Sequence, residues 1–300
     1  MTRRAVVLGG AGQVGGLFTR LLRPRGPVVS VDVRRSEAVG VESVVCDVRA
    51  PSAAVLDAVR SADVVVLALP EPVALTAAAA CAEAVRSGAL LVETLSVQEG
   101  VTRGLTALAE ERGAEVCGLN PMFAPSLGFA GNAVAAVRVV DGPRTAEVLG
   151  LVAGAGARVV EVTAEEHDRT TAVLQAATHA AVLAFGAVVA DHGDPSVLLG
   201  LAPPPHLTLL TVLARITGGN PDVYWEIQTA NVHAAAVRTQ LREALLAIDE
   251  FASTGDDTGF HDSVRRIDDG LGDHAPLLRD RCARLFAAGP TRGMDGTWTS

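Results

Sequence analysis

The 300-residue chain contains no lysine: all 25 of its basic residues are arginines. No lysine can therefore act as base, Schiff-base former or phosphate clamp. Positive charge is also in deficit, with 34 acidic residues and a net charge of −9, which argues against a nucleic-acid partner or an anionic membrane surface. The four cysteines, Cys46, Cys81, Cys117 and Cys282, show neither C-x-x-C spacing nor a paired pattern. They read as reduced, mostly buried thiols in a cytoplasmic protein, and no metal site is assigned. Long uninterrupted apolar runs are missing too. The apolar run after Met1-Thr2-Arg3-Arg4 is too short for a signal peptide and passes straight into glycines. The stretch from Val173 to Ala190 is interrupted by Gln175, Thr178 and His179; it reads as a buried helix and not a membrane span. What remains is a chain with 49% hydrophobic and 20% charged residues, long enough for two domains with full cores.

The first half has an α/β rhythm. Ala5-Val6-Val7-Leu8 suits a strand buried on both faces, and it runs into Gly10-Ala11-Gly12-Gln13-Val14-Gly15, a complete G-x-G-x-x-G. A helix with Val14, Leu17, Phe18, Leu21 and Leu22 on one face follows, then a strand, Val28 to Val31, ending at Asp32. Such glycines permit a tight turn, close approach of backbone to a pyrophosphate and close helix–strand packing. The helix N-terminus supplies amide donors and a favourable dipole. Asp32 lies about 20 residues on, where an acid binds the ribose 2′-hydroxyl. Gly10, Gly12, Gln13, Val14, Gly15 and Asp32 are therefore the expected dinucleotide contacts. Asp32 favours NAD by repelling a 2′-phosphate, while Arg34 and Arg35 leave NADP open. Further strands are expected near residues 43–47, 63–69, 90–94, 115–119, 132–140 and 157–162. The loops after two of them, Leu69-Pro70-Glu71-Pro72 and Leu95-Ser96-Val97-Gln98, should line the cofactor crevice. Ser96 could contact substrate or nicotinamide, or cap the next helix. Leu119-Asn120-Pro121-Met122-Phe123-Ala124-Pro125 reads as a stiff proline-bounded loop. The first domain closes near residue 163.

From Ala164 to residue 288 the pattern becomes long amphipathic helices. His167, Thr171, Leu174, Gln175, Thr178, His179 and Leu183 recur at helical spacing and give a polar stripe suited to a site. Arg215 sits among Leu209, Leu210, Val212, Leu213 and Ile216, and so apolar a setting calls for an anion, either a buried structural carboxylate or a carboxylate substrate. A helix is expected from Asp222 with little interruption to about Phe251, a helical pair from His261 to Ala288, and a flexible tail from Gly289 to Ser300. Helices this long and apolar suggest a homodimer.

On these residues the chain resembles the prephenate dehydrogenase family across nearly its whole length. The features that carry the resemblance are Gly9-Gly10-Ala11-Gly12-Gln13-Val14-Gly15, Ser96-Val97, Asn120-Pro121-Met122-Phe123-Ala124-Pro125 and Glu166-His167-Asp168. Gln175 with His179 follow, and then Arg215, Asn220-Pro221 and Tyr224. The resemblance implies a Rossmann-type dinucleotide-binding domain followed by an all-α helical dimerisation domain, with no tyrosine-sensing module after it. It implies hydride transfer to NAD(P) coupled to decarboxylation of a cyclohexadiene. It also implies that Arg215 binds a substrate carboxylate, that Ser96 and His179 lie by the nicotinamide and substrate, and that Gln175, His167 and Tyr224 face the substrate.

The departures bear on the substrate. The family motif normally reads His-Pro-Met-Phe-Gly-Pro, its His accepting the C4-hydroxyl proton; here the positions hold Asn120 and Ala124, and the Lys that often follows Ser-Val is Gln98. An Asn amide cannot take a proton near neutral pH, and general-base help is worth about 10²–10⁴-fold in rate. A C4 amine would not need that help, because its lone pair drives hydride departure and the resulting iminium is acidic enough to give its proton to water. The expected substrate is therefore 4-amino-4-deoxyprephenate, the product 4-aminophenylpyruvate, and the setting secondary metabolism. Two other readings stand beside it: a prephenate or arogenate dehydrogenase with His179 or His167 as substitute base, and an inactive NAD-binding regulator.

Overall fold

The computed structural model describes residues 3–287, so the expected tail from Gly289 lies outside the described residues. The chain divides into two compact units between Thr171 and Ala172. That division falls inside the helical segment Ala164–Ala190, one short helix beyond the boundary read from the sequence.

The first unit runs β1 (Ala5–Leu8), α1 (Gln13–Leu22), β2 (Val28–Asp32), β3 (Glu42–Val45), α2 (Ala53–Ser61), β4 (Val64–Leu67) and α3 (Glu71–Cys81). It continues with β5 (Leu90–Glu93), α4 (Glu99–Arg112), β6 (Glu115–Pro121), β7 (Ala133–Val140), α5 (Pro143–Gly154), β8 (Arg158–Glu161) and α6 (Ala164–Thr171). The strands form one sheet in the order β3-β2-β1-β4-β5-β6-β7-β8. All neighbours are parallel except β6 and β7. Because strand side chains alternate between faces, the apolar runs split cleanly. Val6, Leu8, Val65, Leu67 and Leu91 enter one core layer, while Val7, Val66, Leu90 and Val92 enter the other. The strand order reverses direction between β1 and β4, and in such sheets ligands lie beyond the carboxyl ends of the strands at that switch point. The glycine loop, Leu69-Pro70, Ser96 and Asn120 follow or end β1, β4, β5 and β6, all at that carboxyl edge.

One expected loop is strand instead. Asn120 and Pro121 belong to β6, opposite Ala135 and Val134 of β7; a proline is tolerated there because it ends the strand. Asn120 is thus held by a ladder rather than by flanking prolines.

The second unit holds α7 (Thr178–Ala190), α8 (Pro195–Leu201), α9 (Pro204–Thr217), α10 (Pro221–Thr229), α11 (Ala234–Thr254), α12 (Asp257–Leu271) and α13 (Ala275–Ala287). A π-helical turn, Ala172–Ala177, precedes α7. The helix expected from Asp222 to Phe251 is broken between α10 and α11, where the Asn231 carboxamide accepts the His233 amide at 2.9 Å and makes a local turn that competes with helix. The expected burial of Val173 to Ala190 is not found: Val182 is the one buried residue of α7, and Val173, Leu174, Leu183 and Val188 are exposed. The segment Ala164–Ala190 is long and apolar enough, by length and composition, to cross a membrane.

Candidate active site

Two constellations carry the predicted residues, one in each unit. In the first, the glycine loop is packed so tightly that side chains are excluded. A Cβ on Gly9 would strike the Ala68 carbonyl, one on Gly10 would strike Ser30 Oγ, and one on Gly15 the Gly9 carbonyl. Gly12 is less crowded, but a Cβ there would still approach the Gly9 carbonyl oxygen to a tight 3.2 Å. Gly12 caps α1 with no side-chain bond, and no acidic residue occupies the first turn. The amides of Gln13, Val14 and Gly15 have no partner four residues back within the helix, so the turn is free to take an anion. Asp32 ends β2 beside this loop: Oδ2 accepts the Ala11 amide at 3.1 Å and Oδ1 the Arg34 amide at 3.1 Å. Leu69 packs on Gly9, and exposed Pro70 caps α3. The arrangement fits a dinucleotide, with the pyrophosphate on the α1 terminus and the ribose at Asp32.

At the ends of β5 and β6 is a buried polar chain. The Asn120 amide nitrogen lies 3.0 Å from His167 Nε2, and His167 Nδ1 lies 2.7 Å from Asp168 Oδ1. Asp168 in turn accepts the Gln98 amide on Oδ1 and the Glu99 amide on Oδ2, both at 2.8 Å. Asn120, His167 and Asp168 are all buried. Asp168 therefore caps α4 from seventy residues away, where the helix dipole favours an anion. The capping role left open for Ser96 is not used: α4 begins after Gln98 with no side-chain cap of its own, and Ser96 is half-buried at the crevice edge.

Glu93, fully buried at the end of β5, accepts the Leu95 amide on Oε2 at 2.8 Å. Its Oε1 and the Oε1 of buried Gln98 have no hydrogen-bond partner, and both press on Gly118 of β6. Burial pushes the Glu93 carboxyl up to about 8. Burial likewise raises Cys117 to about 12 and Cys81 to about 11, so neither is a nucleophile; Cys282, by contrast with the expectation of burial, is exposed.

The second constellation lies on α7, α9 and α10. His179 and Tyr224 meet edge to face, with ring centroids 4.9 Å apart. Tyr224 is placed by α10, whose start is set by Asn220 accepting the Asp222 amide at 3.0 Å and by Pro221 in the first turn. His179 Nδ1 is buried without a partner, and burial lowers its pKa, which keeps the ring neutral at pH 7. Gln175 is half-buried inside the π-helical turn. That turn widens the helix by one residue, with Thr178 Oγ1 donating to the Val173 carbonyl at 3.4 Å, so the expected stripe does not keep a single α-helical period. Arg215 is exposed on α9, as are Leu209 and Val212, while Ile216 is buried; the apolar setting read around Arg215 is buried only in part.

Sequence reasoning placed Gln98 in a crevice loop and Asp168 in a family motif but gave neither a role in the site, and it missed Glu93. It also missed a local signal: Thr163 and Glu166 form a capping box, the Thr163 hydroxyl accepting the Glu166 amide at 3.1 Å and the Glu166 carboxylate accepting the Thr163 amide at 2.9 Å, as T-x-x-E spacing indicates. A groove of about 650 Å³ along α4, β7 and β8 lies away from the glycine loop. Its Arg138 is already paired with Glu161 and Asp141, and it carries no part of the argument.

Residues 18–137 match the family profile described as "Prephenate dehydrogenase, nucleotide-binding domain", and residues 163–266 match "Prephenate dehydrogenase, dimerization domain". The chain is 47% identical over 288 residues, 95% of its length and 97% of the relative's, to a 4-amino-4-deoxyprephenate dehydrogenase of Streptomyces pristinaespiralis. Its fold is similar to that of Aquifex aeolicus prephenate dehydrogenase in complex with hydroxyphenyl propionate and NAD+, with a TM-score of 0.72 at 18% identity, covering 89% of this chain and 96% of that one. It is also similar to Synechocystis arogenate dehydrogenase, with a TM-score of 0.64 at 16% identity over 90% of this chain and 99% of that one.

Proposed function

The chain belongs to the prephenate dehydrogenase family, and within it we propose that the enzyme oxidises and decarboxylates 4-amino-4-deoxyprephenate to 4-aminophenylpyruvate with NAD as hydride acceptor. The observation that carries the reading is the buried Asn120 at the end of β6, where the family motif has a histidine base. The similarity to the Streptomyces relative supports it.

Bound NAD supplies the electrophile that takes the C4 hydrogen as hydride. Gly10, Gly12, Gln13, Val14, Gly15, Asp32, Leu69, Pro70 and Ser96 hold and orient it. On the substrate, the C4 amine lone pair assists departure of the hydride, and breaking of the C1–carboxylate bond returns an electron pair to the ring. Carbon dioxide leaves and the ring becomes aromatic; the iminium need not give up the proton that the sequence reading let it lose to water, because decarboxylation returns the electron pair to a nitrogen that keeps its two hydrogens. A hydroxyl oxygen is a weaker donor and gains from sharing its proton with a base, which an Asn amide cannot accept. Asn120 instead positions the amine through one hydrogen bond, with Ser96 and His179 beside the reacting carbon. Arg215 pairs with a substrate carboxylate, which accounts for an exposed guanidinium on an apolar helix face. Gln175 and Tyr224 complete the substrate side, and His167, read from the sequence as facing the substrate, acts on it through Asn120. The helical half dimerises through its exposed apolar faces. A cytoplasmic enzyme of secondary metabolism fits this chemistry.

Substituting Asn120→His tests the reading. Activity on prephenate should rise by about 10²-fold, the scale of general-base assistance, while activity on the amino substrate falls. An Asn120→His variant with unchanged preference would remove Asn120 as the selector.

A further inference from the structure

We propose that His167 is a positioning residue that locks the Asn120 amide with its carbonyl oxygen toward the substrate and thereby sets the preference for an amine. The inference rests on the amino-substrate reading above. Asp168 accepts two backbone amides at the start of α4, each at 2.8 Å, in the positive end of the helix dipole, so both of its oxygens serve as acceptors. His167 Nδ1, at 2.7 Å, must therefore carry the proton. The Asn120 amide nitrogen, 3.0 Å from Nε2, can only donate, so Nε2 meets it with a lone pair. A lone pair admits only a donor, so the amide NH2 faces His167 and Oδ1 is the atom that remains for a ligand. The polarity is passed from backbone to carboxylate to imidazole to amide, with all three side chains buried.

The orientation discriminates because the two C4 groups differ as partners. A hydroxyl can donate or accept, so it tolerates either face of the amide. The amine nitrogen has a single lone pair, the one that assists hydride departure; an amide NH2 facing it would occupy that pair, whereas Oδ1 accepts an N–H and leaves it free. Releasing the amide to turn over should hurt the amino substrate more than the hydroxy one.

The test uses the full-length enzyme with both substrates in a double-mutant cycle of His167→Leu and Asn120→Ala. His167→Leu should lower the ratio of kcat/KM for the amino substrate to that for prephenate by about tenfold, the scale of a lost hydrogen-bond preference, with KM for NAD unchanged. In the Asn120→Ala background it should leave the ratio unchanged, and His167→Gln, which keeps an acceptor oxygen, should restore part of it. Equal loss on both substrates, or an effect that persists without the Asn120 amide, overturns the proposal. Should the Leu variant not fold, the ¹⁵N shifts of the His167 ring in the wild-type enzyme decide: a neutral ring protonated on Nδ1 is expected, and an Nε2–H tautomer or an imidazolium overturns it. A wild-type enzyme that prefers prephenate would instead refute the amino-substrate reading, whatever the ring's tautomer.

Discussion

In the nucleotide-binding unit the side chains of β1, β4 and β5 alternate between two buried layers, whereas in the helical unit Val173, Leu174, Leu183, Val188, Leu245 and Leu246 stand exposed. The polar groups divide the same way. The Asn120–His167–Asp168 chain is buried and braced to backbone at one end, while Arg215 is exposed and the His179 ring keeps an unpartnered Nδ1. The first unit closes its own core and fixes the geometry of its catalytic groups in advance. The second buries little by itself, with Ala176, Ile227 and Ala234 as its buried cluster, and its exposed apolar residues lie in the stretch that matches the family's dimerization domain.

The contrast can be broken most sharply at Asp168. Asp168→Ala strands the buried Gln98 amide, the part-buried Glu99 amide and the His167 ring at once. It should cost roughly 2–4 kcal/mol of stability in urea unfolding, with Asp168→Asn costing less because one acceptor survives. Gly15→Val next forces a side chain into the Gly9 carbonyl. NAD affinity by titration should fall by at least about 100-fold, as misplaced binding groups do, with the oligomeric state unchanged. Glu93 sharpens the comparison through pH. Its folded value is raised from 4.5 to about 8, so the stability this group contributes is full below pH 4.5 and is lost as pH rises toward 8. Glu93→Gln removes that loss; the variant should gain roughly 2 kcal/mol over wild type between pH 5 and pH 6.5 in denaturant titrations. The smallest effect is expected in the helical unit. Leu246→Glu on α11 should weaken the dimer by at least about tenfold in sedimentation, the cost of a charge in an apolar contact, without changing NAD affinity.

What could be read beforehand follows the range of the forces involved. The glycine loop, Asp32 and the strand series were legible because the signal is local: glycine spacing and continuous apolar runs impose their conformations within a few residues. The Asp168 cap was not, because the carboxylate and the amides of Gln98 and Glu99 lie seventy residues apart and meet only through the fold. Asn120 was placed in a loop because proline normally ends strands, and only pairing with Ala135 keeps it in one. The π-helical turn at Ala172–Ala177 leaves no mark in an Ala- and Leu-rich stretch, so the polar stripe was drawn with the wrong period. The environment of Arg215 was misjudged for a related reason: apolar neighbours in sequence indicate a core only if the chain supplies something to cover them.

The central claim is that the loss of a base at position 120 selects an amine. It is tested most directly by following NADH formation by the wild-type enzyme with 4-amino-4-deoxyprephenate and with prephenate under identical conditions. The account predicts a kcat/KM higher for the amino substrate by about 10²-fold or more, the scale of the missing general-base assistance. Equal or faster turnover of prephenate would contradict it.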